Sequence, residues 1–537
     1  MIKSTVLTAY LVSILAWGVP VLSNGAAQNP SPGNKAGETV LISVTPEGRL
    51  TYQPWSSRGD RLPDFSHCGY GGGGLPLPKA SVRETLEAES GHVDDSPRIQ
   101  AALDRVSQLP LGPDGLRGAV LLKRGHYRCD SPLHVRASGV VLRGEGSDEN
   151  GTVLTARFRR AEALITLGQD VRFPLLGDEV AITDTYVPVG ARQFHVNNTS
   201  GLRVGDSVFF LRRGNAAWIT AIGMDRIAPR PTDPKSTRQW SPFDLRFDRK
   251  IVALAGDQVT LDAPLACAID ERWGGGAIVK FDSRPRIDRC GVEFLRAVSE
   301  FDRTETAQHQ DQQYFSDEDH ATYIVQFEAV VDGWARGLVS QHFTHGPAAM
   351  EAASRSITVE DCQALDPVSQ ITGGRRYPYH INGQLILVQR CFAERARHAF
   401  VFGSRVPGPN VFLDCRSTQD FGTSEPHHRW SVGGLYDNVE TSLAIQDRQW
   451  MGSGHGWSGA NYVAWNCRGT LICQKPPTAQ NFAIGFVGKR GKDAFPGRIP
   501  GWWESEGTPV EPRSLYRKQV EDRLARSDRG SHSCRPL

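Results

Sequence analysis

Histidines, arginines and aromatic residues recur together in the C-terminal half of this sequence. The densest group spans residues 425–430 and reads Glu-Pro-His-His-Arg-Trp. A histidine near neutral pKa can remove or return a proton, and a guanidinium can hold a carboxylate through two parallel hydrogen bonds. We therefore predict a site for an acidic sugar, with His428 as base and Arg429 as carboxylate ligand. His427 and Trp430 are predicted substrate contacts, the indole by stacking on a sugar ring.

A second group, residues 373–380, reads Gly-Gly-Arg-Arg-Tyr-Pro-Tyr-His. Its glycines favour a turn, and its side chains offer the same chemistry as the first group. From it we assign Arg376 as the alternative carboxylate ligand, His380 as the alternative base and Tyr379 as a candidate acid, with Arg375 in contact with substrate. Without a metal, Arg, His and Tyr together can neutralise a uronate carboxylate, remove the proton at C5 and protonate the departing oxygen.

Further histidines begin strand-like stretches at His345 and, beside Arg397, at His398. If these stretches are successive rungs of one solenoid, their side chains lie on one side, spaced about 4.8 Å per rung. His345, Arg397 and His398 are therefore predicted substrate contacts. A column of stacked, hydrogen-bonded histidines with solvated arginines is the structural alternative.

Four of the ten cysteines close similar apolar stretches, at Cys362, Cys391, Cys415 and Cys467. The last interval is close to twice the others. Since a free cysteine is small and buries well, this spacing predicts a buried ladder of unpaired cysteines in stacked coils. Repetition at this period indicates a solenoid, in which each coil buries its apolar face against its neighbours.

The N-terminus has the pattern of a secretory signal peptide over residues 1–25, with Lys3, an apolar run and small residues before Ala26. An uncleaved anchor is the alternative. We therefore expect a secreted or periplasmic protein with no membrane contact beyond this peptide. Residues 26–50, rich in Gly, Pro, Asn and Ala, predict a flexible leader. The net charge of +2 and the lack of a basic block argue against a nucleic-acid partner, and the oligomeric state is left open.

A helix is predicted to begin within Asp94-Asp95-Ser96-Pro97, with Asp95 or Ser96 as N-cap and Pro97 in the first turn, because apolar residues follow at helical spacing from Ile99. Strand-like text follows at residues 119–122 and at Gly125-His126-Tyr127. This order resembles the opening of the pectate-lyase-like superfamily. The resemblance implies an all-β, right-handed parallel β-helix with an N-terminal capping helix, acting as a polysaccharide lyase or glycoside hydrolase.

The remaining organisation follows from pattern changes along the chain. Residues 51–170 are predicted to form the N-terminal part of the β-helix with the capping helix. Residues 171–285 alternate apolar and polar positions, which predicts an inserted antiparallel β subdomain. Residues 286–490 are predicted to be the main coils carrying the site, and 491–537 an irregular segment ending in a cap.

The leading functional hypothesis is a polysaccharide lyase that cleaves a uronate-containing glycan by β-elimination. A glycoside hydrolase on the same scaffold would need paired carboxylates. Gly454-His455-Gly456 resembles a polygalacturonase motif, whose usual adjacent aspartates are missing here. A third hypothesis is a non-catalytic carbohydrate-binding or surface-structural β-helix. No metal site or other cofactor is predicted; calcium stays open without a residue pattern behind it.

Overall fold

The chain winds into coils whose strands stack in three parallel sheets. The computed structural model describes residues 37–89, 91 and 93–532. The sheet that we call the long sheet contains Val82–Leu86, Gly118–Leu122, Val140–Arg143, Gly291–Glu293, Trp334–Arg336, Thr358–Glu360, Leu387–Gln389, Pro407–Leu413, Ser431–Asp437, Gly459–Ala460, Val463–Trp465, Phe482–Ile484 and Trp502–Glu504. The second sheet contains Gly125–Cys129, Thr152–Ala156, Arg296–Ser299, Val339–Gln341, Gln363–Leu365, Phe392–Glu394, Arg416–Thr418, Glu440–Ile445, Arg468–Cys473 and Val487–Arg490. The third sheet contains Leu133–Val135, Ile165–Leu167, Tyr323–Phe327, Gly346–Met350, Tyr379–Ile381, Phe400–Ser404 and Glu425–His428. This architecture confirms the predicted right-handed parallel β-helix.

The predicted cysteine ladder lies at the turn between the long and second sheets. Cys362, Cys391, Cys415 and Cys467 are buried and unpaired, and each follows its long-sheet strand at the same register position. Val439 occupies that position in the intervening coil. The interval between the last two cysteines is therefore doubled because one coil of the column carries valine.

One helix, Ser96–Gln108, closes the N-terminal end of the coils. Asp95 is its N-cap and a proline stands in its first turn, as the sequence predicts. Ile99, Leu103 and Val106 lie at helical spacing and are fully buried against the first coils. Burying an aliphatic side chain of this size contributes about 1.5–3 kcal/mol, so this face holds the helix in place and shields the open end of the solenoid.

An antiparallel subdomain interrupts the coils between the third and long sheets, confirming the predicted insertion. Its six-stranded sheet contains Leu175–Ala181, Gln193–His195, Ser207–Arg212, Leu245–Ala255, Gln258–Leu261 and Gly276–Phe281. Tyr186–Val187 pairs with Ile269–Asp270, and short helical segments span Ala216–Ala221, Pro234–Ser236 and Glu271–Trp273. Trp218 of the insertion packs edge-on against Trp430 of the coils, with ring centroids 5.2 Å apart. Two buried tryptophans therefore fix the insertion against the main coils.

Chain segments from both ends cover the outer face of the long sheet. The antiparallel strands Ile42–Val44 and Leu50–Tyr52 and the helix Leu515–His532 pack there, burying Leu41, Leu50 and Leu515. The prediction of a flexible leader is therefore wrong for residues 37–50, because their apolar side chains pack on outward-facing leucines of the coils and bury them. The predicted signal peptide and the rest of the leader lie outside the described residues. Within the described part, no helix has the length and apolar character needed to cross a bilayer.

The outer face of the third sheet lies between two projections. The insertion packs against the turn that leaves this sheet, since the ring of Phe243 contacts Arg405, and it also contacts the following strand, where Arg249 donates to the Gly408 carbonyl at 2.7 Å. A hairpin of Thr306–His309 and Gln312–Phe315 lies at the entering turns, where the Tyr314 hydroxyl accepts from the Ile371 amide. Smaller elements complete the fold: Tyr70–Gly72, Ile287–Asp288 paired with Val330–Val331, and Met451–Gly454.

Candidate functional site

The polar groups of the third sheet point outward from its last three strands. In Tyr379–Ile381 the two end residues are buried in the core, so His380 projects to the outer face. His380 pairs in register with Val401, which pairs with Glu425 in the next coil. This column places His380 on the same face as the histidines that follow Glu425.

Three imidazole rings converge where the strand Glu425–His428 ends. One ring nitrogen each of His427, His428 and His455 lies within 4.8 Å of the other two. The Nδ1 atoms of His427 and His428 are 2.7 Å apart and share a hydrogen bond, and the rings of His428 and His455 stack with centroids 4.7 Å apart. We call these three residues the histidine cluster.

A buried polar layer supports the histidine cluster from below. The Tyr377 hydroxyl lies 2.8 Å from His427 Nε2 and accepts a hydrogen bond from Arg397 at 3.1 Å. Arg448 lies 2.6 Å from the Glu425 carboxylate and donates to the His427 carbonyl at 2.7 Å. Arg397 therefore holds the hydroxyl that contacts the His427 ring, and Arg448 holds the His427 main chain.

His398 and Glu425 form the innermost part of this layer. The distance from His398 Nε2 to the nearer carboxylate oxygen of Glu425 is 3.4 Å, and both side chains are almost fully buried. Burial raises the pKa of Glu425, while Arg448 opposes that shift. The single carboxylate of this layer is already matched by the guanidinium of Arg448.

The electrostatics of the face keep its histidines uncharged. Burial, followed by the positive charge of Arg429, lowers the pKa of His428 to about 3. Burial likewise lowers the pKa of His455 to about 2 and that of His380 to about 4. His380 also contributes to the shift at His428, so these two rings face a common space. At neutral pH the imidazoles are therefore free bases.

Arginines without an acidic partner surround this space. Arg405 stacks on Phe243 of the insertion, with its guanidinium carbon 4.0 Å from the ring centroid. Arg429 donates to the Ser453 hydroxyl at 2.9 Å. Beyond the effect of burial, the positive charge of Arg429 lowers the pKa of Arg405, and both arginines lower the pKa of His428. Arg238 in turn lowers the pKa of Arg429. Among the described residues neither guanidinium forms an ion pair with a carboxylate, and the buried Nε atoms of Arg405 and Arg429 have no hydrogen-bond partner. This face is therefore strongly electropositive.

Several site predictions are wrong. Tyr379 is fully buried and its hydroxyl donates to the carbonyls of Cys362 and Phe392 at 2.7 and 2.9 Å, so it cannot act as an acid on substrate. Trp430 is 1% exposed and packs on Trp218, so it cannot stack on a sugar.

The two arginines of the second group also lie elsewhere. Arg376 is 2% exposed and donates to the Ser369 carbonyl at 2.8 and 3.1 Å, beside a cavity of about 620 Å³ near the hairpin. Arg375 pairs with Glu318 at 2.6 Å. A positive φ of 56° at Arg376 turns the chain there and directs the pair away from the outer face of the third sheet.

The other predicted residues share one face. His380, His427, His428 and Arg429 surround the outward space, with Arg397 and His398 in the layer beneath. His345 lies further along, stacked on Tyr323 with centroids 4.7 Å apart, and its Nδ1 accepts from the Tyr377 amide. Whether these residues bind substrate stays a prediction.

The sequence reading missed further groups on this face. Tyr377, Arg405, Arg448 and His455 were not assigned, although His455 stood in a recognised short motif. Glu351 accepts from Asn382 at 3.0 Å and follows Met350, which pairs in register with Phe327 before Glu328. Burial raises the pKa of both glutamates, and Glu328 adds to the shift at Glu351. Two further carboxylates of the coils lie in ion pairs elsewhere: Asp361 pairs with Arg390, and Asp414 pairs with Arg513 and Arg517.

Comparisons with known proteins give structural matches only. No protein-family model matches the chain, and no curated protein matches it in sequence. The tailspike protein gp49 from Pseudomonas phage LKA1 is 14% identical, with a TM-score of 0.43 over 73% of this chain and 57% of that chain. The Gp54 tailspike of Acinetobacter baumannii bacteriophage AP22, solved with A. baumannii capsular saccharide, is 11% identical with a TM-score of 0.40, over 74% and 56%. The tailspike of E. coli bacteriophage HK620, solved with a pentasaccharide, is 10% identical with a TM-score of 0.36, over 85% and 62%. The chain thus spans less than two thirds of the length of each of these tailspikes.

Proposed function

We propose that this protein is an extracytoplasmic enzyme that binds an acidic polysaccharide on the outer face of the third sheet and cleaves it by β-elimination. The observation that carries the proposal is that two arginines and several uncharged imidazoles lie on the same face. These arginines, Arg405 and Arg429, lack a carboxylate partner among the described residues. A uronate carboxylate would provide that partner.

Each requirement of β-elimination has a group on this face. Arg405 and Arg429 would hold the carboxylate and so acidify the proton at C5. His380 is the base: its ring makes no hydrogen bond to a described residue, and burial is the cause of its lowered pKa. The imidazolium formed on His380 would then give the proton to the departing glycosidic oxygen, so no separate acid is needed. A positioned base of this kind contributes roughly 10²–10⁴-fold to the rate.

Substrate charge would also adjust the base. A pKa of about 4 makes His380 a weak base in the free protein. A nearby carboxylate favours the charged form of an imidazole and raises its pKa. Binding of the uronate would therefore bring His380 closer to the pH at which general-base catalysis is most effective.

Hydrolysis is the second candidate, favoured by Glu328 and Glu351. These carboxyl groups lie on adjacent rungs, and the pKa of each is raised, which suits a proton donor to a leaving group. A hydrolase would use one as acid and the other as base or nucleophile.

A panel of acidic polysaccharides distinguishes these reactions. Elimination leaves an unsaturated uronate ring that absorbs in the ultraviolet, whereas hydrolysis gives reducing ends without that absorbance. We expect ultraviolet-absorbing products, and Arg429→Gln should lower kcat/KM by roughly 100-fold, as for loss of a charge-stabilising donor. Arg416→Gln, an exposed arginine of the second sheet, is the matched control. Reducing ends alone would replace elimination by hydrolysis, and binding without either product would exclude an enzyme.

A further inference from the structure

We propose that His427, His428 and His455 form a three-histidine site for a divalent transition metal, of which Zn²⁺ is the best match. One nitrogen of each ring lies within 4.8 Å of the others. Nitrogens at about 2.0–2.1 Å from one zinc ion are separated by roughly 3.3 Å in a tetrahedral arrangement, so small ring movements suffice. No sequence motif with closed zinc-site spacing pointed to these residues.

The ring nitrogens of the histidine cluster support this assignment. His455 Nδ1 is buried and has no hydrogen-bond partner among the described residues. The Nδ1 atoms of His427 and His428 are 2.7 Å apart, and only one of them can carry the proton they share. A buried ring nitrogen without a partner costs free energy, and a metal ion would satisfy all three nitrogens at once.

The outer shell of the cluster is also that of a metal site. Metal-binding histidines usually direct the second ring nitrogen to a fixed polar partner. His427 Nε2 lies 2.8 Å from the Tyr377 hydroxyl, which Arg397 holds in turn. The His427 main chain is fixed by Arg448. His427 therefore has the outer-shell contacts expected of a metal ligand. The positive charge of the neighbouring arginines would favour an anion as the fourth ligand of the metal.

A second set of three groups shares His427 but is less suited to a cation. His398, Glu425 and His427 also bring one atom each within 4.8 Å of one another. Arg448 already lies 2.6 Å from the Glu425 carboxylate in this set. That carboxylate already has a partner and is not free to bind a metal ion, so we assign the metal to the histidine cluster.

This inference deepens the proposed function and rests on it for its role: the metal would join Arg405 and Arg429 in holding a uronate carboxylate, leaving His380 as base. Metal binding itself is measured without substrate. A protein that binds zinc but cleaves no glycan would refute the proposed function alone, and one that cleaves an acidic glycan but takes up no zinc would refute this inference alone.

The test is zinc uptake by the full-length protein after chelator treatment, by equilibrium dialysis and elemental analysis. We expect one tightly bound zinc that is lost in His455→Ala and in His428→Ala, with affinity lowered at least 100-fold, beyond the roughly 10–100-fold typical of an outer-shell change. His398→Ala should keep the zinc, as should His195→Ala, a control in the insertion where His195 contacts Asp184. If one variant fails to fold, the other decides. Cobalt substitution should give the visible spectrum of a tetrahedral site. Uptake retained in both cluster variants, or lost in His398→Ala alone, would overturn the assignment.

Discussion

Tyr377 and Tyr379 lie two residues apart yet belong to different parts of the molecule, which makes them a matched pair of probes. The Tyr379 hydroxyl is in the core of the coils and donates to two main-chain carbonyls. The Tyr377 hydroxyl contacts His427 and Arg397 beneath the histidine cluster. Replacing each by phenylalanine removes one oxygen atom and keeps the ring.

Tyr379→Phe should lower stability and leave the site intact. Loss of a donor to buried carbonyls costs about 1–3 kcal/mol, and the lower half of that range applies because the Cys362 carbonyl keeps its bond from the Phe392 amide. The midpoint of thermal unfolding should fall by about 2–4 °C per kcal/mol or somewhat less, given the length of the chain. Zinc affinity and turnover of an acidic glycan should be unchanged at 25 °C.

Tyr377→Phe should impair the site. His427 loses the partner of its second nitrogen, so zinc affinity and turnover should fall by roughly 10–100-fold, the usual effect of an outer-shell change. The free energy of unfolding should fall by about 1–3 kcal/mol, because the Tyr377 hydroxyl also contacts Arg397 and the Gly373 carbonyl, so the loss of zinc affinity and turnover is what separates this variant from Tyr379→Phe. Circular dichroism melts and zinc titrations of the two variants decide the matter. If Tyr379→Phe lost activity without losing stability, the assignment of the two tyrosines would be wrong.

Two further predictions concern stability. Burial raises the pKa of Asp437 to about 7. The unfolded chain releases this proton near pH 4, so the protonated Asp437 contributes its full share to the free energy of unfolding below that pH, and the share falls by up to about 4 kcal/mol as the pH rises to 7. Asp437→Asn should remove this pH dependence. If the urea midpoints of Asp437→Asn at pH 5 and pH 8 differed as much as those of the native protein, the prediction would be wrong. In the cysteine column, Val439→Cys should change stability by less than about 1.5 kcal/mol because the two side chains are similar in size, whereas Val439→Asp should cost several kcal/mol in the same urea titration by burying a charge.

The solenoid was predictable because its geometry repeats in the sequence. Each coil turns from the long to the second sheet through one residue of positive φ, at Asp361, Asp414 and Asn466 among others. Asp and Asn tolerate this conformation better than most residues, and a buried cysteine follows each of them. One repeated turn therefore generated the periodic signal, including the doubled interval at Val439.

The side of the sheet on which an individual side chain lies was not predictable from period-two alternation. Alternation places Tyr377 and Tyr379 on the same side of a strand, but the strand begins only at Tyr379. Tyr377 belongs to the preceding turn, which Arg376 redirects with a φ of 56°. In the same way, the neighbouring His427 and His428 meet in one cluster because their strand ends there and positive φ values follow at Arg429 and Trp430.

Residues that are distant in the sequence complete the candidate site, and for this reason the complete site could not be predicted from the sequence. His455 comes from a loop after the next long-sheet and second-sheet strands, and the Phe243 ring on which Arg405 stacks comes from the insertion. Parallel coils bring such residues together by stacking, at about 4.8 Å per rung, whatever their separation along the chain. The third sheet is also the place where these additions converge, since the long sheet is covered by the chain ends. Every contributing group projects from a turn or from the outer face of a strand. The site can therefore bind a ligand through imidazole and guanidinium groups together without disturbing the repeating core.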